Sequence, residues 1–368
     1  MNIFAEITGI KYKLFSSSEL TEITFDEINV NTMPSSCIIK DNKHNFSISK
    51  WVSPKRTRSY PYERVYNTLS NQKRITVIPI IKDEGSRGDR DYIQWDTISL
   101  MSLLDVYVIF AYYEKAEKHP TRENKITNQK FNNDYVKSKI EEIANYHSSP
   151  LHWNLQEIKE TLPSLIDLVK NSYQRISAEL DVTFHNVSGI DRFKNQFLTG
   201  VEEFMRTSRE KAKEAQNREQ QTVQPKEALS SLTKATITIK NYLGGLYYFT
   251  TDEIDLNENS IFLIEAKHSR SSKLPSIGDI KDGLLKLILY CNLRKVTANN
   301  LSYNSIPVLK LTSSKLEGSI TSDSEKSLIE DFFANNKLNS RQINILSLLF
   351  QECSENNFKV VIEKGSNE

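Results

Sequence analysis

The second half of the chain has the clearest hydrophobic patterning. Residues 261–264 (Ile-Phe-Leu-Ile) form an apolar run that is typical of a buried strand. The upstream segment 247–257 also has strand character, and Asn257-Glu258-Asn259 has the composition of a turn. The pattern therefore predicts a hairpin of residues 247–257 and 260–268 with a two-residue loop at Glu258-Asn259.

Further periodic segments predict the architecture around this hairpin. The predicted helices are 191–219, 279–290 (with Ser276 as its N-cap), 324–335 and 340–353, and the other predicted strands are 236–239, 306–311 and 358–362. This order predicts an α/β fold for the C-terminal half, in which a mixed sheet is flanked by helices. Pro307 must then lie at an edge or at the start of its strand.

The N-terminal half has a different pattern. It predicts a strand at 75–81, a helix at 92–104, a strand at 106–113, a charged loop or mobile connector at 114–133, and helices at 135–146 and 155–176. We therefore expect three parts, an N-terminal α+β domain (1–130), a helical connector (131–190) and the sheet domain (191–368).

Three chemically complementary side chains are predicted to meet at the end of the hairpin. Residues i and i+2 of a strand lie on one face, so Glu265 and Lys267 point the same way. With the two-residue loop, Asp252 falls opposite Glu265, and directly opposed side chains are about 5 Å apart at Cβ. A shift of one residue would exchange the faces and favour Glu253 or Asp255 instead. Two carboxylates and a lysine in this arrangement can hold a hard cation and activate water beside it.

The spacing alone has a simpler alternative, a surface strand whose Glu and Lys are solvated or weakly paired. Glu-x-Lys also occurs at Glu123–Lys125 and Glu157–Lys159. Only Glu265–Lys267 ends a buried type of run and follows a hairpin with an acid in register, which favours a site.

These residues resemble the active-site motif of the PD-(D/E)xK nuclease superfamily, which includes most type II restriction endonucleases. The matching residues are Asp252, Glu265, Ala266 and Lys267, and Thr251 stands where many members have proline. The resemblance implies a restriction-endonuclease-like core. It also implies that Asp252, Glu265 and the Ala266 carbonyl hold Mg²⁺, while Lys267 assists catalysis.

The implied chemistry is Mg²⁺-dependent hydrolysis of phosphodiester bonds in double-stranded DNA. The ion would polarise the scissile phosphate and lower the pKa of a bound water, while Lys267 orients or helps to deprotonate that water. Without metal, the two carboxylates repel each other, so the pKa of one should be raised. Glu202 or Glu203 could add a ligand, as in some members of the superfamily. His268 should point to the opposite face.

The resemblance also implies partners. A symmetric homodimer is the simplest enzyme for cutting both strands of a palindrome, and a restriction system would include a cognate DNA methyltransferase. Two alternatives stay open. One is a repair or junction nuclease on the same core, and the other is a non-catalytic DNA-binding protein with structural acids.

Candidate DNA contacts come from two segments of the N-terminal half. Residues 50–64 interleave basic and aromatic side chains, and the loop at 82–91 mixes acids, glycines and arginines. The candidates are Lys55, Arg56, Arg58, Arg64, Arg87 and Arg90, because lysine and arginine neutralise phosphates and arginine can recognise guanine. Alternatively, the first segment is a solvated loop. The second could be a cation-binding acid cluster or, as we favour, a structural turn with paired charges.

Composition sets wider limits. The 368 residues carry a net charge of +1 and are 38% hydrophobic and 26% charged, which is ordinary for a globular protein. There is no long apolar segment for a membrane span and no signal-peptide pattern at the start. The widely spaced Cys37, Cys291 and Cys353 form no zinc or disulfide framework, so we expect a cytoplasmic protein. No phosphate-binding loop, dinucleotide motif or serine-hydrolase motif occurs.

Overall fold

The computed structural model describes residues 1–55, 61–198, 235–241 and 246–365. The chain divides into two compact units, Met1–Ser18 with Val223–Glu368, and Glu19–Thr222. Both units combine helices with sheets, which confirms the general α/β class. Within the described ranges, no helix is both long and apolar enough to cross a membrane.

The elements are numbered in chain order. The strands are β1 (Asn2–Glu6), β2 (Thr21–Ile23), β3 (Ser36–Lys40), β4 (Asn45–Lys50), β5 (Arg74–Pro79), β6 (Ile81–Asp83), β7 (Arg90–Tyr92), β8 (Tyr107–Ala111), β9 (Tyr113–Lys118), β10 (Ile126–Phe131), β11 (Ala235–Lys240), β12 (Leu246–Thr251), β13 (Glu253–Leu256), β14 (Ser260–Ser269), β15 (Arg294–Ala298), β16 (Leu301–Ser302), β17 (Asn304–Ser313), β18 (Ser319–Thr321) and β19 (Lys359–Lys364). The helices are α1 (Pro61–Thr68), α2 (Trp95–Leu103), α3 (Asn133–Ala144), α4 (Pro150–Gln156), a π-helical turn (Glu157–Thr161), α5 (Leu162–Leu180), α6 (Ser188–Leu198), α7 (Ile277–Cys291), α8 (Lys326–Asn335) and α9 (Ser340–Asn356).

Two sheets organise the unit that contains the C-terminal half. One has the strand order β12-β11-β1-β15-β16, and the other has the order β13-β14-β17-β19-β18. In the second sheet β14, β17 and β19 run parallel, while β13 and β18 pair antiparallel at its two sides. Pro307 lies in β17 before Val308, where pairing with β19 begins. The prediction that Pro307 lies at an edge or at the start of its strand is therefore corrected, since β17 begins at Asn304 and Pro307 pairs with Leu263 of β14. On the β19 side, a proline there removes no ladder hydrogen bond.

Helix α7 packs on β14 and β17 and follows the pattern of its sequence. Ser276 is its N-cap, because the Ser276 side chain accepts a hydrogen bond from the Asp279 N–H at 3.1 Å. Its apolar residues, among them Ile280, Leu284 and Ile288, are buried. The predicted helix at 279–290 and its cap are therefore confirmed.

The Glu19–Thr222 unit is built on a sheet of order β2-β3-β4-β5-β8, with β6 and β7 forming a separate hairpin. The predicted loop or connector at 114–133 is corrected, because β9 and β10 form a hairpin there. The β9 side chains after Tyr113 are at least partly exposed and mostly charged. The sequence there therefore lacks the apolar residues from which a strand is usually predicted.

The two units differ from the three predicted parts. Residues 1–18 belong with the C-terminal half, because β1 lies between β11 and β15. The predicted connector at 131–190 contributes Val136, Ile140 and Trp153 to the core around β3, β4 and β5. These helices are therefore part of the α+β unit. Residues 191–198 of the predicted helix at 191–219 belong to α6. Residues 199–219 lie outside the described residues.

Candidate active site

Asp252 lies where the chain passes from one sheet to the other. The predicted strand 247–257 is divided there, because β12 pairs with β11 while β13 pairs with β14. The predicted hairpin register is confirmed, since Glu253 pairs with Ile264 and Leu256 pairs with Ile261. One further step in this register sets Asp252 opposite Glu265.

The Asp252 side chain binds back to β14. The N–H of Ala266 donates a hydrogen bond to Asp252 Oδ2 at 3.0 Å. The Asp252 and Glu265 carboxyl groups are also close enough to interact with each other. Asp252, not Glu253 or Asp255, is therefore the acid next to Glu265. Glu253 instead pairs with Lys310, whose Nζ lies 3.2 Å from Glu253 Oε2.

Lys267 joins two acids of different elements. Its Nζ lies 3.0 Å from Glu265 Oε1 and 2.7 Å from Asp282 Oδ2 of α7. A second lysine, Lys286, lies 2.6 Å from the other Glu265 oxygen, Oε2. Asp282 and Lys286 are four residues apart, so one face of α7 presents both toward β14. The cluster thus contains three acids and two lysines.

A glycine allows α7 to approach this strand closely. A Cβ on Gly283 would lie 2.8 Å from Leu309 Cδ1 and 3.2 Å from Lys267 Cε. Both distances are shorter than ordinary van der Waals contact, so a larger residue would press on the lysine. Gly283 therefore helps to position Lys267 between Glu265 and Asp282.

The side chains of the cluster differ in their exposure to water. The Glu265 side chain is 1% exposed, whereas those of Lys267, Asp282 and Lys286 are 14–15% exposed. Buried charges need close partners, and here every one of these four has at least one ionic partner. The partial exposure of the two lysines leaves them within reach of a solute.

The environment separates the pKa values of the two neighbouring acids. Burial raises the pKa of Glu265, the charge of Asp252 raises it further, and Lys286 and Lys267 oppose this only in part. Burial also acts to raise the pKa of Asp252, but Lys286, the Ala266 N–H and Lys267 together bring it below its usual value. One acid of the pair thus has a raised pKa, as expected, with burial as the larger cause.

The pKa of Lys267 is also shifted. Burial acts to lower it, but the charges of Glu265 and Asp282 outweigh burial and the pKa rises above its usual value. Lys267 is therefore a cation at neutral pH in this arrangement.

The donor atoms around Glu265 on β14 suit a hard cation that keeps part of its water shell. Within the described residues, no group of three or more His, Cys, Asp or Glu side chains is arranged to hold a metal ion. Asp252 and Glu265 supply two carboxylates. The Ala266 carbonyl points to the same strand edge as its N–H, which faces Asp252. Mg²⁺ is commonly held by one or two carboxylates with several retained waters, so this set fits it.

The predicted DNA contacts have different environments. Lys55 and Arg87 are exposed. Arg90 is only 9% exposed, and its Nε lies 2.5 Å from Asp83 Oδ2. Arg64 donates to the backbone oxygen of Lys50 at 2.7 Å. The guanidinium groups of Arg64 and Arg90 thus have partners within the protein, and their contact with DNA stays a prediction.

The remaining predictions concern the loop at 82–91, His268 and four candidate residues outside the described part of the chain. Within the loop, Lys82 pairs with Glu84 and Asp83 with Arg90, which agrees with a structural turn. Four candidates, Arg56, Arg58, Glu202 and Glu203, lie outside the described residues. His268 is exposed and contacts Thr312 Oγ1 at 2.9 Å.

Asp282 and Lys286 were not predicted from the sequence. Their helix was predicted, and the pair has the four-residue spacing of a single helical face. That spacing is common on solvated helices, so it could identify them only once α7 was known to lie on β14.

Comparisons of the chain with protein-family models, with curated proteins and with solved structures each gave no match. The geometry of the cluster around Glu265 is therefore the feature of this chain that bears on its function.

Proposed function

We propose that this chain is a Mg²⁺-dependent endonuclease that cleaves double-stranded DNA at specific sequences, in the manner of type II restriction enzymes. The supporting observation is that Lys267 bridges Glu265 and Asp282 on β14, next to the position where Asp252 also binds this strand. In this arrangement two acids can hold a cation, and the lysine amine can orient a water molecule beside it. A restriction-endonuclease-like core formed by β13, β14, α7 and β17 is part of the same proposal.

Each residue has a distinct role in this reaction. Asp252, Glu265 and the Ala266 carbonyl would hold Mg²⁺, which when bound supplies Lewis-acid chemistry and lowers the pKa of a water. Lys267 orients the attacking water, and its charge offsets the negative charge that develops on the phosphate. Because its pKa is raised, Lys267 acts as a donor and a charge while both acids remain beside it.

The two residues of α7 support this chemistry. Asp282 holds the Lys267 ammonium at 2.7 Å and so fixes its direction. Lys286 compensates the charge of Glu265 when no cation is bound. If a cation were held beside Glu265, the Lys286 charge would be available to a phosphate oxygen of the substrate.

The substrate and partners follow from the same proposal. Lys55 and Arg87 are exposed cations suited to the DNA backbone, and Arg56 and Arg58 remain candidates from the sequence. A homodimer would cut both strands of a palindromic site. A cognate methyltransferase would protect host DNA.

The test is digestion of mixed-sequence plasmid and phage DNA by the purified chain, with Mg²⁺ or with EDTA, followed by sequencing of the fragment ends. We expect discrete fragments with Mg²⁺ only. Lys267→Ala and Asp252→Ala should each reduce cleavage by at least about 100-fold, the lower range for loss of a catalytic proton-transfer or charge group. DNA binding, measured by fluorescence anisotropy, should largely persist.

Lys310→Ala is a matched control, because Lys310 also bridges two acids in the same sheet, Glu253 and Glu363. It should leave cleavage unchanged. Thermal unfolding of all three variants verifies that they fold. Full cleavage by folded Lys267→Ala would reject the proposal. Nicks that depend on branched or damaged DNA would instead indicate a repair nuclease, and no cleavage by the parent chain would indicate a binding protein.

A further inference from the structure

A cavity of about 600 Å³ opens in the Glu19–Thr222 unit, and none of its lining residues belongs to the cluster around Glu265. Residues of β4, β6 and the β9–β10 hairpin line it, including the stacked rings of Tyr113 and Phe131. Pockets for small molecules typically measure about 300–1,000 Å³. The cavity thus has room for a ligand of nucleotide size.

The lining has an excess of positive charge. Among the described residues, the charged lining consists of three lysines and one acid, namely Lys50, Lys82, Lys125 and Glu84. Lys82 Nζ lies 3.3 Å from Glu84 Oε1, and Lys125 Nζ lies 3.1 Å from Glu84 Oε2. One carboxylate therefore serves two lysines that are each less than one-fifth exposed.

Lys50 carries the second excess charge. Its Nζ donates to the carbonyl oxygens of Val30 and Met33, each at 2.7 Å. An ammonium has three N–H donors, so one is left for a further acceptor. Among the described residues no carboxylate pairs with Lys50. Burial, followed by the charge of Arg64, lowers the pKa of Lys50, and an anion in the cavity would offset both effects.

We propose that this cavity binds a phosphomonoester of mononucleotide size. A phosphomonoester carries about −1.5 to −2 charges at pH 7, which matches an excess of two positive charges. Lysines bind phosphate as point charges. Asn31, Asn128 and Gln129 also line the cavity, with their amide groups hydrogen-bonded to Phe131, to Glu117, and to Asp83 and Tyr173, respectively.

Two sources share this chemistry, a free nucleotide and the phosphorylated 5′ end of a DNA strand. The proposal uses no residue of the Glu265 cluster and no cleavage readout. It can therefore fail or succeed independently of the nuclease proposal.

The test is calorimetric titration of the full chain, in EDTA, with 2′-deoxyadenosine 5′-monophosphate, with 2′-deoxyadenosine and with inorganic phosphate. We expect saturable binding of the nucleotide at one site per chain, and binding of the nucleoside at least about tenfold weaker. Lys125→Ala should weaken nucleotide binding by about tenfold, because it removes one of the unmatched charges. Glu84→Gln should tighten binding, because it removes the competing carboxylate.

Lys130→Ala is the control. Lys130 is an exposed lysine of β10 in the same hairpin that does not line the cavity, so this variant should bind the nucleotide like the parent chain. Lys82→Ala replaces Lys125→Ala if circular dichroism shows that the latter is unfolded.

Competition by a 5′-phosphorylated but not a 5′-hydroxyl duplex would identify a DNA end as the source, and no competition by either would identify the free nucleotide. The absence of saturable nucleotide binding at millimolar concentration, or equal affinities of the parent, lysine-to-alanine and Glu84→Gln chains, would overturn the proposal.

Discussion

At the scale of single residues, protonation of Glu265 would set the lower pH limit for the proposed cation binding at the candidate site. Its pKa is raised chiefly by burial and then by Asp252, whereas the pKa of Asp252 is lowered in the balance. As pH falls, Glu265 therefore takes up a proton before Asp252.

Ionising Glu265 also costs folding stability as pH rises through its raised pKa, because the folded state binds that proton more tightly than the unfolded state. The raised pKa of Lys267 acts in the same direction at higher pH, since it stabilises the fold below its unfolded pKa and this contribution is lost as pH rises through the folded value.

Replacing Lys286 should shift the pH dependence of activity. The Lys286 charge lowers the pKa values of both Glu265 and Asp252, so Lys286→Gln should raise both. Cation binding needs both acids ionised, and the acidic limb of the cleavage profile should therefore move to higher pH. At the acidic end we expect about tenfold less activity than in the parent chain, equivalent to about 1.4 kcal/mol. Initial cleavage rates across pH measure this, with Lys310→Gln as control. An unchanged acidic limb in Lys286→Gln would show that Lys286 does not act on these acids.

At the scale of elements, some parts of the site were predictable and others were not. The two-residue loop fixed the register of β13 and β14, because hairpin loop length sets strand pairing, and this placed Asp252 by Glu265 in advance. The apolar spacing likewise identified α7. Periodicity does not say which strand a helix covers, so Asp282 and Lys286 could not be linked to Glu265. The division of the predicted strand at Asp252 was also missed, because both halves have strand-forming residues and belong to different sheets.

The close approach of α7 to β14 gives a prediction for Gly283→Ala. Alanine favours a helix over glycine by about 1 kcal/mol, but its Cβ would press on Leu309 and on Lys267 Cε. Overpacking costs about 1–3 kcal/mol, so the free energy of unfolding should change by less than about 2 kcal/mol. Activity should fall much more, because a displacement of about 1 Å at a catalytic group can cost about 100-fold.

Denaturant unfolding and cleavage rates together measure this difference for Gly283→Ala. Gly9→Ala is the control, since no neighbouring atom lies within 4 Å of a Cβ there. Equal activity of the two alanine variants would mean that the position of Lys267 does not depend on the α7 contact.

At the scale of the whole molecule, the start of the chain completes the unit formed by its second half. Strand β1 pairs parallel with β11 and antiparallel with β15. Parallel pairing of residues 2–6 with residues 236–240 leaves no local signal such as a turn, so sequence pattern could not predict it. The general α/β class was predictable, because it depends only on the local periodicity of each element. The division of the chain into units depends on such long-range pairings.

Glu352 gives a prediction about how the first 18 residues are held. This acid of α9 is fully buried and accepts hydrogen bonds from Tyr12 Oη at 2.9 Å, Phe15 N at 3.1 Å and Ser16 N at 2.9 Å. Glu352→Ala would leave these donors without that acceptor. A hydrogen bond to a charged group contributes about 1.5–3 kcal/mol, and three partly buried ones are lost here, so the free energy of unfolding should fall by roughly 3 kcal/mol or more.

Glu355→Ala is the matched control for this prediction, because it removes a glutamate of the same helix whose partner, Lys13, belongs to the same N-terminal segment. Both side chains of that pair are about half exposed or more, and such pairs contribute at most about 1 kcal/mol. Denaturant unfolding of the two variants, with limited proteolysis near residue 18, compares them. If Glu352→Ala unfolds no more easily than Glu355→Ala, the N-terminal segment is held by the pairing of β1 alone. If instead Glu352→Ala is much less stable and is cut early near residue 18, the buried carboxylate joins the two ends of the chain into one cooperative unit.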